Sequence, residues 1–528
     1  MTKQSTCSAL ADSDAPTPLI GDEQFRDLIS ARCRPLLELA SRLATLPAGE
    51  SSLTRPLIGR LLLESGQAEE LLDEYGAREN RHWSGFRALV AAVRNFSCVG
   101  QALAHLQVRL QAYRLMPVDA DFPAATGERL RVIGELVARL AAGLLEEAQR
   151  LGIPGPGVAP TLDDVAERLP PGRLLRNRDE RIAGNAAGTV TRLATEFLNL
   201  AAESDLLGAA AQVSPADYAD CFPDPVSEER LRQLGFRFHN LQSLYDTHVS
   251  GTSIETSDTD LPVLRDHASV IFHLLEIATD LAHYYERHLN PRTGDGLQRG
   301  RPVVDADTAM TTLFAYAIAF SSDFLAGGQR LCQGILRRYA ECGRLEVPVP
   351  AYRGFHVRPS SLVARIVAHY GGEVRMELDG KLFDAASPLD LFRANESINA
   401  RKRRWLAAEI ARVHPDPAGE LDPAAIAEAV LFIVHRLAGE GKIVLYRQPF
   451  ELSERIGSRE GGVLENTVAE IALLQATGQL DIRTDLTVTF MGDKRVLSDV
   501  DALARNGYGE DAFGNNVVLP KTLSYLRR

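Results

Sequence analysis

Residues 354–362 read "GFHVRPSSL": a glycine, an apolar residue, a histidine, then Val-Arg-Pro and two serines. The histidine stands at the mouth of a helix. In "SSLVARIVAHY" (360–370), Leu362, Val363, Ile366, Val367 and Tyr370 fall on one helical face, and Gly371-Gly372 stops it. Upstream, "RLEVPVPAY" (344–352) alternates as a strand does and carries Pro348 and Pro350. Their missing N–H groups lie along one margin, which suits an edge strand. Downstream, "EVRMEL" (373–378) sets Val374, Met376 and Leu378 against charged neighbours, a half-buried strand. Asp379-Gly380 is a two-residue hairpin signal, and "KLFDAA" (381–386) returns as a second strand. Ser387-Pro388 then opens a helix, with serine as N-cap and proline in the first turn. The order is strand, histidine turn, helix, hairpin, helix.

Around this segment the chain reads differently. At 528 residues it exceeds what one core serves, so several domains are expected. Apolar content of 45% with 24% charged residues is that of an ordinary globular protein. The net charge of −12 argues against a surface built mainly for nucleic acid. Six scattered cysteines with no Cys-x-x-Cys suggest reduced thiols rather than a disulfide framework or zinc site. Residues 1–20 read as a disordered lead-in without a signal-peptide core, and no window is apolar enough for a membrane span. A cytoplasmic location follows as the expectation.

From 21 to 342 the pattern is helical. "FRALVAAVRNFSCVGQALAHLQVRLQAYRL" (86–115) and "RLRVIGELVARLAAGLLEEAQRLG" (129–152) repeat apolar residues every three or four positions. Pro- and Gly-rich breaks at 152–161, 214–227 and 289–302 suggest two helical subdomains, 21–151 and 162–342, of long packed helices. In "HASVIFHLLEIATDLAHYYERH" (267–288), His273, Glu276, Asp280 and His283 share a face. Such a face could ligate a metal, but no matching motif stands on another helix, and a polar helix face or subunit contact is the plainer reading. No metal or other cofactor is expected.

The motif Gly-apolar-His-x-Arg-Pro resembles that of HPr, the histidine-containing phosphocarrier of the bacterial phosphotransferase system. It is matched by Gly354, Phe355, His356, Val357, Arg358 and Pro359. The hairpin Gly380-Lys381 and the helix-opening Ser387 follow at the family's spacing without a gap. The resemblance implies an open-faced α/β sandwich, His356 as phosphoryl acceptor and Arg358 as the group that stabilises the phosphate. Gly354, Pro359 and Ser360 would shape the helix N-terminus, where unpaired N–H groups and the dipole favour an anion. It also implies a regulatory phosphosite at Ser387, whose plain reading is an N-cap. The implied partner is enzyme I of the phosphotransferase system or a similar donor. That donor supplies the catalysis, so the chain is a phosphoryl acceptor rather than a turnover enzyme.

Beyond residue 394 the match fails. "ESINARKRRWLAAEIARV" (396–413) reads as a long helix whose basic run, 401–404, is a solvated face or, less simply, an anion site. "LDPAAIAEAVLFIVHRLAG" (421–439) resembles the family's last helix, and "KIVLYR" (442–447) is the best candidate for the missing fourth strand. The HPr-like domain is therefore placed at 343–450 with an altered C-terminal half. Residues 455–528 are placed as a small α/β module, a faint echo of the hairpin-and-helix half in which Ser498 opens a helix. Its loop "NGYGEDAFGNN" (506–516) could cradle phosphate on its amides, although two acids inside it favour a structural loop. The fold class is multidomain: a large all-α N-terminal region, an HPr-like α/β sandwich and a small C-terminal module.

The function expected is phosphorelay signalling or regulation, with the helical region sensing a signal or binding an unidentified protein partner. Two other readings stay open. In one the HPr-like fold is a scaffold that never carries phosphate. In the other the helical region is an enzyme of unknown substrate.

Overall fold

The computed structural model describes residues 19–45, 53–155, 186–290, 303–413, 422–449, 451–453, 456 and 462–527. The lead-in up to residue 18 lies outside them, as do most of the breaks expected at 152–161 and 289–302. The described chain is mostly helical with a small antiparallel sheet. It divides into two compact units, which do not follow the expected boundary near 342. The first comprises the described residues of Met1–Asp179, Ser204–Asn240 and Asp266–Leu325; the second comprises those of Glu180–Glu203, Leu241–Arg265 and Ala326–Arg528. Three borders, at 240, 265 and 325, fall inside helices, where no break in hydrophobic pattern marks them.

In the first unit, α1 (Ser84–Arg109) packs along α2 (Phe122–Arg150). Their apolar stripes meet through Val90, Phe96 and Leu103 on one and Ile133, Leu140 and Leu144 on the other, all fully or almost fully buried. The first part of α3 (Glu228–His248) and most of α4 (Asp260–Tyr284) complete this bundle. Contrary to the expectation from sequence, one helical stretch, Ala306–Arg338, is long and apolar enough to cross a membrane by composition. Its Leu313, Phe314, Ile318 and Phe324 are nevertheless buried in the protein, as in a core helix.

The second unit is built on a four-stranded antiparallel sheet. Its strands are β1 (Cys342–Pro348), β2 (Val374–Leu378), β3 (Lys381–Asp384) and, much later, β6 (Thr487–Asp493), in spatial order β1-β6-β2-β3. Strand β1 is an edge strand, closed by Pro348, and Pro350 lies beyond its end. Asp379 and Gly380 both take positive φ, 54° and 74°, the geometry of a tight hairpin. Across the sheet Leu345 pairs Phe490, which in turn pairs Met376. Helices α5 (Val357–Tyr370), α6 (Pro388–Val413) and α9 (Lys494–Arg505) add Val363, Ile366, Val367, Leu391, Ile398, Val496 and Val500 to the buried apolar core.

The strand expected at 442–447 is not part of this sheet. Residues Ile443–Leu445 form β4, which among the described residues pairs only with β5 (Leu480–Ile482), in a separate two-stranded ribbon. With helices α7 (Pro423–Gly439) and α8 (Val463–Ala476), this ribbon encloses a core of its own, including Ile426, Val430, Ile433, Ile471 and Leu480. The end of α6 contributes Leu406 and Ile410. The described residues of 414–486 therefore form an inserted module. The segment expected as a separate echo supplies the sheet's fourth strand and the helix after it. Within that segment Asp493, not Ser498, caps α9, accepting the N–H of Arg495 at 3.0 Å.

One residue of the basic run ties module to sheet. Lys402, expected on a solvated face, is buried and pairs with the buried Asp481 at 2.9 Å. Arg401 reaches Asp379 beside the hairpin at 2.7 Å.

His369 closes α5. Its Nε2 meets Asn199 Oδ1 at 3.1 Å and its ring stacks on Tyr525, centroids 4.0 Å apart. Burial pushes its pKa down to about 4. The unfolded chain then binds the extra proton between the ordinary histidine range and pH 4, so stability is lost as pH falls through that window. In His369→Phe, which keeps the stack, the fall in urea midpoint between pH 6.5 and 4.5 should be shallower than in the native chain. His105 and His288 are likewise pushed down to about 4 by burial, so part of the slope persists.

Candidate functional site

The turn before α5 is held in a shape that few residues adopt. Arg353 and Gly354 both have positive φ, 53° and 62°, and a side chain on Gly354 would collide with Asn395. Asn395, on α6, clamps the turn from outside: its Oδ1 accepts the Phe355 N–H at 3.0 Å and its Nδ2 donates to the Arg353 carbonyl at 3.1 Å. Asp481 of the inserted module accepts the Arg353 N–H at 3.0 Å. Phe355 is buried, anchoring the turn against Phe490 and Tyr508.

His356 is thereby the N-cap of α5, with extended backbone. Of the N–H groups in the helix's first turn, those of Val357 and Arg358 have no helical carbonyl to meet, and Pro359 has none to offer. Pro359 is buried at the third helical position rather than opening the helix. Ser360 is turned away from this mouth. Its amide bonds to the His356 carbonyl at 3.1 Å, and its buried hydroxyl donates to the Phe355 carbonyl at 2.9 Å.

The imidazole meets a group that sequence reasoning missed. His356 Nε2 lies 2.7 Å from Glu510 Oε2, and the Glu510 side chain is only 5% exposed. Glu510 Oε1 stands 3.5 Å from Arg358 Nε, and Arg358 Nη1 donates to Asn516 Oδ1. Tyr352 packs edge-on to the imidazole, centroids 5.3 Å apart. The second ring nitrogen, Nδ1, has no hydrogen-bond partner among the described residues. A carboxylate on Nε2 selects the tautomer with the proton there, and so leaves an unprotonated Nδ1.

Glu510 and Asn516 come from the loop 506–516, and they face each other because their backbones bridge antiparallel. Asp511 stiffens the loop's tip, accepting the N–H groups of Phe513 and Asn515 at 2.8 and 2.9 Å. The Asn515 side chain, aided by these amides, holds the Asp511 carboxyl below its ordinary value. Tyr508, at φ 59°, ties the loop to the sheet by donating to the Pro348 carbonyl at 2.9 Å. The loop's contribution is thus an acid aimed at a histidine, not a cradle of amides.

Beside the site a groove of about 600 Å3 runs between α5 and the C-terminal segment. Arg358, Arg365 and Arg527 line it together with the exposed Val357 and Val518. Among the described residues no acid lines it, so the surface next to His356 combines positive charge with apolar side chains. Ser387, on the other helix of the sheet, accepts the Asp390 N–H at 3.3 Å, the bond of a helix cap.

In the helical unit, His273 Nδ1 meets Glu276 Oε2 at 2.7 Å, whereas His283 Nδ1 meets Glu228 Oε2 on α3 at 2.9 Å. The two histidines of that face thus turn to different carboxylates. Among the described residues, no three His, Cys, Asp or Glu side chains gather to hold a metal. Comparison of the chain with protein-family models, with curated proteins and with solved structures found no match.

Proposed function

We propose that this chain is a phosphoryl-accepting signalling or regulatory protein of the HPr type, loaded on His356 by a phosphotransferase-system donor such as enzyme I. The observation that carries this reading is the pairing of His356 Nε2 with the buried Glu510, which leaves Nδ1 as the nucleophile at a helix mouth. With the inserted module lifted out, the element order is strand, histidine turn, helix, hairpin, helix, strand, helix, the order the resemblance implies.

The chemistry runs as follows. The Nδ1 lone pair attacks phosphorus, and the bond from phosphorus to the donor breaks with its electron pair leaving on the donor. The ring then carries positive charge, which the Glu510 carboxylate on Nε2–H offsets. The phosphate oxygens meet the Val357 and Arg358 N–H groups and the dipole of α5. Arg358 exchanges its bonds with Asn516 and Glu510 for the phosphate, a better match to its fork of donors. Loading adds about −2 charge beside the Arg-lined groove, enough to alter what docks there. The helical region serves in this reading as the sensor or partner-binding part.

One observation favours the scaffold reading instead: Arg358 already has partners in Asn516 and Glu510. A small donor separates the two without needing protein recognition. Phosphoramidate should load His356 with an acid-labile, alkali-stable phosphate, mapped by tandem mass spectrometry. Absence of label, or label on other histidines only, would favour the scaffold.

A further inference from the structure

In the first unit, α3 and α4 line an open cavity of about 280 Å3 that has no part in the chemistry of His356. Its lining is aromatic on one side. Phe236, otherwise 61% exposed, and Phe272 both contribute, and the His239 ring lies 5.0 Å from that of Phe272. Farther along the same face of α4 from Phe272 stand two acids one helical turn apart, Glu276 and Asp280, with Thr279 beside them. Glu276 places one oxygen on His273. The Asp280 carboxylate has no hydrogen bond or ion pair with any described residue; only its backbone carbonyl is used, by Asn95. Arg232, the one cation lining the cavity among the described residues, is already bonded to Glu228.

Asp280 is half-buried, and a carboxylate that loses part of its hydration without gaining a partner is favourably met by a proton or a bound cation. Asp280 is pushed up to about 7, chiefly by burial and then by Glu276; Glu228 pushes the same way, whereas Arg232 on α3 and Arg94 on α1 pull it down. Cys98 on α1 also faces it, and its thiol is pushed up to about 12 by burial and by Asp280, so it stays neutral. Near neutral pH the cavity thus holds an acid poised to exchange its proton for another cation. Aromatic faces favour ammonium groups in particular, since a hydrated metal ion gains little from an apolar wall. The volume suits a molecule of a few carbon atoms.

We infer that the cavity between α3 and α4 binds a small organic ammonium compound, with Asp280 as its counter-charge, Glu276 as a second acceptor and Phe236 and Phe272 as the faces against which its carbons pack. This gives the helical region a ligand class of its own and does not depend on what His356 does.

Titration calorimetry on the full chain tests it, with tetramethylammonium, choline and putrescine as probes and 3,3-dimethylbutan-1-ol as choline's uncharged isostere. At least one ammonium probe should bind saturably, more tightly at pH 8 than at pH 6, while the alcohol does not. Asp280→Asn and Phe272→Ala should each weaken that binding about tenfold or more, and Asp280→Asn should also abolish its pH dependence. Asp280→Asn keeps the side chain's shape and removes a half-buried charge that has no partner, so its circular dichroism and melting should match or exceed those of the native chain. Three results would each overturn the inference: no binding of any ammonium probe, equal binding of the alcohol, or affinity unchanged in a folded Asp280→Asn.

Discussion

Glu510→Gln should slow phosphoryl uptake at His356 by about 10²- to 10⁴-fold, the range seen when a positioned acid–base partner or an orienting carboxylate is lost. The carboxylate can only accept from Nε2, and so keeps the proton there. An amide at 510 can also donate. Once it does, Nε2 must be the unprotonated nitrogen, the proton moves to Nδ1 and the nucleophile is blocked. The charge that offsets the phosphorylated ring is lost as well. Two readouts distinguish this from a folding defect. Glu510→Gln should slow uptake from phosphoramidate and from a protein donor alike, and two-dimensional 1H–15N spectra of the imidazole should show a greater share of the Nδ1–H tautomer. Glu510→Asp, which keeps the charge but shortens the reach, should recover part of the rate. A Gln variant that loads at the native rate would show that the acid is no more than a structural partner.

Lys402→Met should lower the stability of the second unit by about 3–5 kcal/mol, the cost of leaving a buried charge without its counter-ion. Lys402 and Asp481 are both almost fully withdrawn from water. Besides Lys402, Asp481 accepts the Gln475 amide at 3.1 Å and the N–H groups of Ile482 and Arg353. It is therefore the point where the inserted module grips the histidine turn. Adding Asp481→Asn to the Lys402→Met background should restore part of the loss, since the amide oxygen still accepts from Arg353 without a buried charge. Urea unfolding of the two single variants and the double variant checks this. Single and double losses that simply add would mean that the pair is not coupled.

The local shape of the site was legible in the sequence, and its partners were not. Alternation at 373–378, the Asp379-Gly380 turn, Pro348 at the end of β1 and the apolar face of α5 are signals carried within a few residues, and the strands, turn and helix form around them. The fourth strand was misplaced for a physical reason. "KIVLYR" and "LTVTFMG" have the same strand-forming chemistry, and pattern cannot say which edge a strand will pair with once a module with its own core intervenes. Long-range polar pairs were equally hidden. Glu510 and His356 are 154 positions apart, and nothing in "NGYGEDAFGNN" marks which of its two acids turns inward. Lys402 looked like one cation in a basic run, and only Asp481 of the inserted module makes its burial tolerable. Asn395 stood just past the last position matching the motif, yet it clamps the turn that the motif begins.

The most direct measurement is intact mass after incubation with phosphoenolpyruvate and enzyme I of the phosphotransferase system, with ordinary HPr loaded in the same tube as a control. The expected result is a gain of one phosphate, lost on brief acid treatment, kept in alkali and absent from His356→Ala. An unchanged mass while the control HPr is loaded would contradict it, leaving "GFHVRP" as a helix start in a scaffold.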